Sequence, residues 1–333
     1  MYFLIGICLL FAYLYSINLL GSLFAATAWS GLARWASGLR PSTRTDLLFV
    51  LRIGPIALAL ATLAVFMLPS FLLYEPEQSD EIISYKMVLI VAISAIGIVL
   101  AIGRVFLSWW RTRRLLDEWM RNSTPLERDD LPYSAYTIEH PFPIIAVVGS
   151  LTPKIFVADQ VLSELDESEF AAALAHEVAH VAKSDNLRRL LMRLCSDLLI
   201  LPLGKQMDQR WTDSAELAAD ESSACRGDGR SALDLASALV KIGRMAPTDR
   251  SFAMPSAAYL VDPTEGPLTS RIERLINISS DSHAVVTLSS RRLSINILTA
   301  VFVGILMSIP FLVKSDFLFS VHQFTETIFS SLQ

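Results

Sequence analysis

Four stretches of the chain carry no charge and are long enough to cross a bilayer as helices, which takes about twenty apolar residues. They are Tyr2 to Gly31, Ile53 to Tyr74, Met87 to Gly103 and Leu293 to Val313. The third continues through Val105-Phe106-Leu107 after Arg104. The first is too long for a signal peptide, has no basic start and shows no small-residue cleavage site, so it reads as a retained helix. Between the third and fourth stretches the pattern changes to short amphipathic segments. Leu115 to Arg121 reads as the end of a helix leaving the membrane, and Pro125 to Pro143 as a proline-containing linker. Ile144 to Ala158 predicts two short strands around Gly149-Ser150-Leu151-Thr152-Pro153. Asp166-Glu167-Ser168-Glu169 has the form of a capping box, and the Ala- and Leu-rich run from Phe170 to Leu194 continues that helix.

Leu198 to Leu203 is apolar but too short to span, and reads as core. Helices follow over Lys205 to Cys225, halted at Gly227-Asp228-Gly229, and near Ser231 to Arg244. Ala246 to Pro267, with four prolines, reads as a mobile loop, and Thr269 to Ile276 as a short amphipathic helix. The predicted organisation is three transmembrane helices within 1–107 (about 2–28, 53–74 and 86–107), a soluble region at 108–292, a fourth helix at 293–313 and a short tail at 314–333. The fold class is mainly α, a multi-pass membrane protein with an α+β soluble domain.

Loop charge gives an orientation. The loop after the first stretch holds Arg34, Arg40, Arg44 and Arg52 against Asp46; the next holds Glu75, Glu77, Asp80 and Glu81 before Lys86; after the third come Arg111, Arg113 and Arg114. The positive-inside rule then places the N-terminus outside, the soluble region in the cytoplasm and the tail outside. Composition agrees with a membrane protein: of 333 residues, 53% are hydrophobic and 18% charged, with mean hydropathy +0.46. The net charge of −5 comes with no basic patch interleaved with aromatics, so direct nucleic-acid binding is not expected. The partners expected are a lipid bilayer and a protein or peptide. Cys8, Cys195 and Cys225 form no disulfide framework.

Candidate chemistry sits at His176-Glu177-x-x-His180. Histidines four apart on a helix stand on one face and can hold one zinc ion, while Glu177, turned about 100° away, can address a water rather than the metal. Glu177 is then the general base and the chemistry is hydrolysis of a peptide bond. A catalytic zinc takes three protein ligands. The best third ligand is Glu216, on the following helix, which offers Ala215, Ala218, Ala219 and Ser222 where the metal helix offers alanines, so that small residues on both sides permit close approach. Asp220, one turn on, suits the second ring N–H of a ligand histidine. Asp213, Glu221 and Asp185 are weaker candidates. An oxyanion donor is also needed, and Arg271, Tyr259 or His140 are open choices.

His176-Glu177-Val178-Ala179-His180 followed by Lys183-Ser184-Asp185-Asn186, then Glu216-Leu217-Ala218-Ala219-Asp220, resembles the gluzincin membrane peptidases. The nearest resemblance is to the BlaR/MecR antirepressor peptidases, which Val148 to Val157 also resembles. It covers roughly Phe142 to Leu275 by motif. It implies a zincin-type domain between the third and fourth membrane helices, a single zinc ion, and a repressor or a membrane protein as substrate. Only about twenty residues follow Val313, so the external penicillin-binding sensor of those receptors is not expected. The related HtpX and CaaX-type proteases carry a His-Pro before an Arg-Ile pair; here Gly266-Pro267 precedes Arg271-Ile272. Two other readings compete: an HtpX-like quality-control protease, and a non-catalytic zinc-bearing scaffold, which would have no need of Glu177. Cleavage within the membrane is excluded because Asp166, Glu167, Glu169, Lys183, Asp185, Arg188 and Arg189 flank the motif.

Overall fold

The computed structural model describes residues 2–74, 85–128, 131–200, 203–225, 230–245, 257–259, 268–280 and 315–332. The chain is mostly helical. Helix α1 spans Tyr2–Ala36 and α2 spans Pro41–Thr62, running through a π-helical turn at Leu63–Met67 into α3, Leu68–Tyr74. Leu68 N–H bonds to Leu63 O, five residues back, where Pro69 interrupts the ordinary ladder. Helix α4 spans Tyr85–Arg121. Three stretches are long and apolar enough to cross a membrane, Gly6–Ala36, Pro41–Tyr74 and Val88–Arg121. The expected fourth span at 293–313 and the acidic loop lie outside the described residues. In the tail, Ser315–Leu332 forms a further helix whose Leu318 carbonyl accepts from Ser70 Oγ at 3.0 Å.

Two strands too short to leave a pattern in the sequence lie at the start of the expected linker and within it, β1 (Ser123–Pro125) and β2 (Ala135–Ile138). The predicted hairpin is present as β3 (Ile145–Val148) and β4 (Lys154–Ala158), antiparallel, with Gly149 at φ 104° in the turn. A fifth strand, β5 (Ala257–Tyr259), falls inside the stretch read as a mobile loop and pairs antiparallel with β3. The order is β1-β2-β4-β3-β5, and β2 and β4 are parallel.

After α5 (Asp159–Glu164) come α6 (Glu167–Lys183), α7 (Asp185–Leu199), α8 (Lys205–Ala224), α9 (Arg230–Met245) and α10 (Leu268–Ser280). The helix expected to run from Phe170 to Leu194 is broken at Ser184. This residue sits at φ 55°, ψ 41°, a left-handed conformation that closes α6 and starts α7 at a new angle.

Two cores share these helices. One packs the sheet, α6 and α9 around Phe156, Val161, Leu174 and Leu239. The other joins α1 and α2 to α7 and α8 through Trp29, Leu48, Met192 and Trp211. Apolar burial therefore anchors the helix carrying Glu216 to the first two membrane-type helices. Polar bonds reinforce the joint: Arg52 Nε donates to Asp208 Oδ1 at 2.8 Å, Arg188 Nη1 to Asp46 Oδ1 at 2.7 Å, and Arg44 Nε to Ser214 Oγ at 2.8 Å. Helix α7 also lies so close to α4 that a Cβ on Gly97 would overlap the Leu198 carbonyl. Leu199 in this turn is core, as expected, while Ile200 is exposed.

Candidate metal centre

The site begins with a firm helix start. Asp166 Oδ1 accepts from Glu169 N–H at 2.9 Å and Glu169 Oε2 accepts from Asp166 N–H at 3.0 Å, closing the capping box. Glu169 is buried and also receives Ser237 Oγ at 2.6 Å and Lys241 Nζ at 2.7 Å from α9. Burial raises the Glu169 pKa, but Lys241, Ser237 and the Asp166 N–H outweigh it and hold it below the free value of 4.5. A lowered carboxyl pKa stabilises the fold above the free value and loses that contribution as pH falls through the folded one. Glu169→Gln should therefore unfold at a lower temperature than wild type at pH 7, and the gap should close as the pH is taken below 4.5. Thermal melts of the detergent-purified protein across that range check it.

From this start, α6 carries His176, Glu177 and His180 into the interior, where they are 0%, 0% and 4% exposed. Helix α8 crosses α6 closely, Ser223 Oγ donating to Ala172 O at 2.7 Å, and its Ala215, Ala218 and Ala219 are all buried. That approach brings Glu216 to the two histidines. His176 Nε2 and His180 Nε2 are 3.1 Å apart, and Glu216 oxygens lie 3.5 Å and 3.4 Å from them. A tetrahedral zinc with bonds of about 2.0–2.1 Å has ligand–ligand edges of about 3.3 Å. With one ligand atom taken from each residue, the three lie within 4.8 Å of one another, a group that could hold such an ion.

Both rings turn Nδ1 outward to a carboxylate. His176 Nδ1 is 3.0 Å from Asp220 Oδ1, and His180 Nδ1 donates to Asp185 Oδ2 at 2.7 Å. Such partners fix the proton on Nδ1 and leave the Nε2 lone pair for a metal. Asp185, a weaker ligand candidate by sequence, is a partner of His180 instead. On one continuous helix it would stand five positions beyond His180 and off its face; the break at Ser184 turns it back. The polar run Ser184-Asp185-Asn186 was the available signal, since it has the form of a helix start. Asn186 Nδ2 fixes the turn by donating to Val147 O at 3.0 Å and Gly149 O at 3.1 Å.

Arg271 comes from α10. Its Nε and Nη2 donate to the two oxygens of Asp220 at 2.9 Å and 2.7 Å, and Nη1 is 3.2 Å from Glu216 Oε2. It is thus in the cluster, held by carboxylates. His140 lies elsewhere, packed on Trp119 and bonded to Phe142. Tyr259 lies on β5, opposite Ala146. Among the described residues, Asp213 and Glu221 do not join the histidines, and Glu221 pairs with Arg274.

The residues present fit a divalent cation. Neither oxygen of Glu177 nor of Glu216 accepts a hydrogen bond, although all four atoms are buried. The carboxylates of Asp185, Glu216 and Asp220, with the carboxyl of Glu177, outnumber two guanidiniums (Arg271, and Arg189 at 3.5 Å from Glu216), an acidic excess that suits a cation. Burial disfavours the cationic form of His180, yet Glu216 and Asp185 raise its pKa to about 10. Burial likewise opposes ionisation of Glu216, and His180, His176 and Arg271 hold it well below the carboxylate range. Each group is set to favour positive charge at the centre. Glu177 is the exception: burial pushes its carboxyl up to about 7, against the pull of His176 and His180. Among the described residues, His176, His180 and Glu216 form the group of His and acidic side chains that could hold a metal, with one ligand atom from each within 4.8 Å of the others.

Comparison with known proteins agrees. Residues 110–314 match the profile of peptidase family M48. No curated protein matches the chain. The matched stretch covers more than half of the sequence and contains every residue of the cluster. The chain belongs to peptidase family M48 and is a membrane-associated zinc metallopeptidase.

Proposed function

We propose that the protein is a membrane-anchored endopeptidase in which His176, His180 and Glu216 hold one zinc ion and Glu177 is the general base. The convergence of both Nε2 atoms and Glu216 on one point carries this reading. When bound there, zinc supplies Lewis acidity, making a water acidic and a peptide carbonyl electrophilic. Glu177 takes a proton from the attacking water on a carboxylate oxygen and returns it to the leaving nitrogen as the C–N bond breaks. Ionised, Glu177 can take the first proton; protonated, it holds that proton for the leaving nitrogen. Asp185 positions His180 by accepting at Nδ1, Asp220 stands 3.0 Å from His176 Nδ1 as its charged neighbour, and Arg271 positions Asp220.

The domain lies on the cytoplasmic side in this reading. The arginine-rich segment between the first two spans supports it, because Arg44, Asp46 and Arg52 bond to α7 and α8 and so share a side with the centre. The substrate is a cytoplasmic or membrane protein. Resemblance of Val148 to Val157 to the BlaR/MecR peptidases supports a repressor, and the HtpX-type resemblance supports a damaged membrane protein. Detergent-purified full-length protein should carry about one zinc per chain and cut an unfolded protein. Chelation should abolish the cleavage and added zinc restore it. Cleavage that survives complete removal of zinc would rule this mechanism out.

A further inference from the structure

A cavity of about 490 Å³ opens beside the metal centre, between the C-terminal end of α1, α2, α8 and α10. Glu216 forms part of its wall, so anything filling the cavity lies next to the bond to be cut. The wall is apolar at Trp29, Ala33 and Leu217 and carries Arg34, Arg44, Arg210 and Arg271. Arg271 is committed to Asp220 and Glu216. The other three guanidiniums have no carboxylate within 4.0 Å among the described residues. Arg44 donates Nε to Ser214, two residues before Glu216 on the same helix, and is thereby held against α8. The only other acid in this wall is Asp213.

Three guanidiniums against the single carboxylate of Asp213, which acts on Arg44 and Arg210, give a concave, partly apolar wall an excess of positive charge, and the planar fork of arginine matches a carboxylate. From this we infer that the cavity is a specificity subsite for a carboxylate of the substrate polypeptide, either an Asp or Glu side chain or a chain terminus, seated on Arg34, Arg44 and Arg210. This inference rests on the peptidase reading and names the substrate chemistry of that site. A peptide is the occupant because the cavity shares its wall with Glu216, past which a scissile bond must be threaded.

The test reads binding, not turnover, on zinc-loaded full-length Glu177→Gln protein in zwitterionic nanodiscs. Short fluorescent peptides carry one Glu walked along the sequence, with Gln and Lys twins, each with a free or an amidated C-terminus. At one position the Glu peptide should bind about ten- to a hundredfold tighter than its Gln twin, the scale of a charge-assisted hydrogen bond. Alternatively, the free terminus should beat the amide by that factor, which identifies the chain end as the source. Arg210→Glu and Arg34→Glu, both at exposed positions where folding tolerates the change, should reverse the order of the Glu and Lys twins. Equal binding of all twins, or a preference that these variants leave intact, overturns the inference. So does a change confined to binding of phosphatidylglycerol vesicles, which would make the cavity a lipid-headgroup site. A protein that hydrolyses no peptide would defeat the peptidase reading without bearing on this result, and loss of the preference with cleavage intact would leave that reading standing.

Discussion

Glu177→Gln is expected to keep its zinc and its fold and to lose peptide hydrolysis by about 10²–10⁴-fold, the usual scale for a missing general base. The substitution changes no heavy-atom shape and touches neither histidine's Nδ1 partner. Both Glu177 oxygens are buried without a donor, so no hydrogen bond is broken by it. It also removes a carboxyl whose ionised form burial disfavours, so the variant should be at least as resistant to heat as wild type. Steady-state hydrolysis of an unfolded protein, with zinc measured in the same preparation, separates the two effects. Loss of zinc together with activity would mean that Glu177 helps to hold the metal, and the assignment of base and ligand would have to be redrawn.

Asp220→Ala should have the largest combined effect on stability and metal. It removes a bidentate partner from Arg271, whose residual exposure is only 9%, and leaves a guanidinium inside the protein, beside Glu216 but without that carboxylate. Breaking such a buried pair costs about 3–5 kcal/mol. The same change takes the carboxylate from His176 Nδ1, and loss of such a partner lowers metal affinity by about 10–100-fold. Asp220→Asn keeps the shape and one acceptor, so it should fall between the two. Thermal melts with and without zinc, and competition against a fluorescent chelator, read the two contributions separately. Wild-type zinc affinity in Asp220→Ala would remove Asp220 from the account of the centre.

Much of this was legible in the amino-acid sequence because it is local. Long uncharged runs predict α1, α2 and α4, a hairpin is written around Gly149, and Asp166 to Glu169 announces the helix that carries the histidines. Placing Glu216 beside them needed only the alanines of α6 and α8, which predict close packing before any coordinates. What was hidden depends on single backbone torsions or on contacts distant in sequence. The left-handed turn at Ser184 is one such torsion, and without it Asp185 cannot meet His180. Arg271 lies 51 residues beyond Asp220, and nothing near it in sequence says that it will clamp that carboxylate. Strands of three or four residues such as β1, β2 and β5 bury too little to leave a period in the sequence; their neighbours in the sheet define them.

The central claim is that this chain cuts protein in the cell by way of Glu177. Its most direct test compares new protein N-termini in cells carrying wild type with those carrying Glu177→Gln. The account predicts a set of termini present only with wild type, which would also identify the substrate and the bond cut. Identical sets of termini, with both proteins in the membrane and equally loaded with zinc, would contradict it.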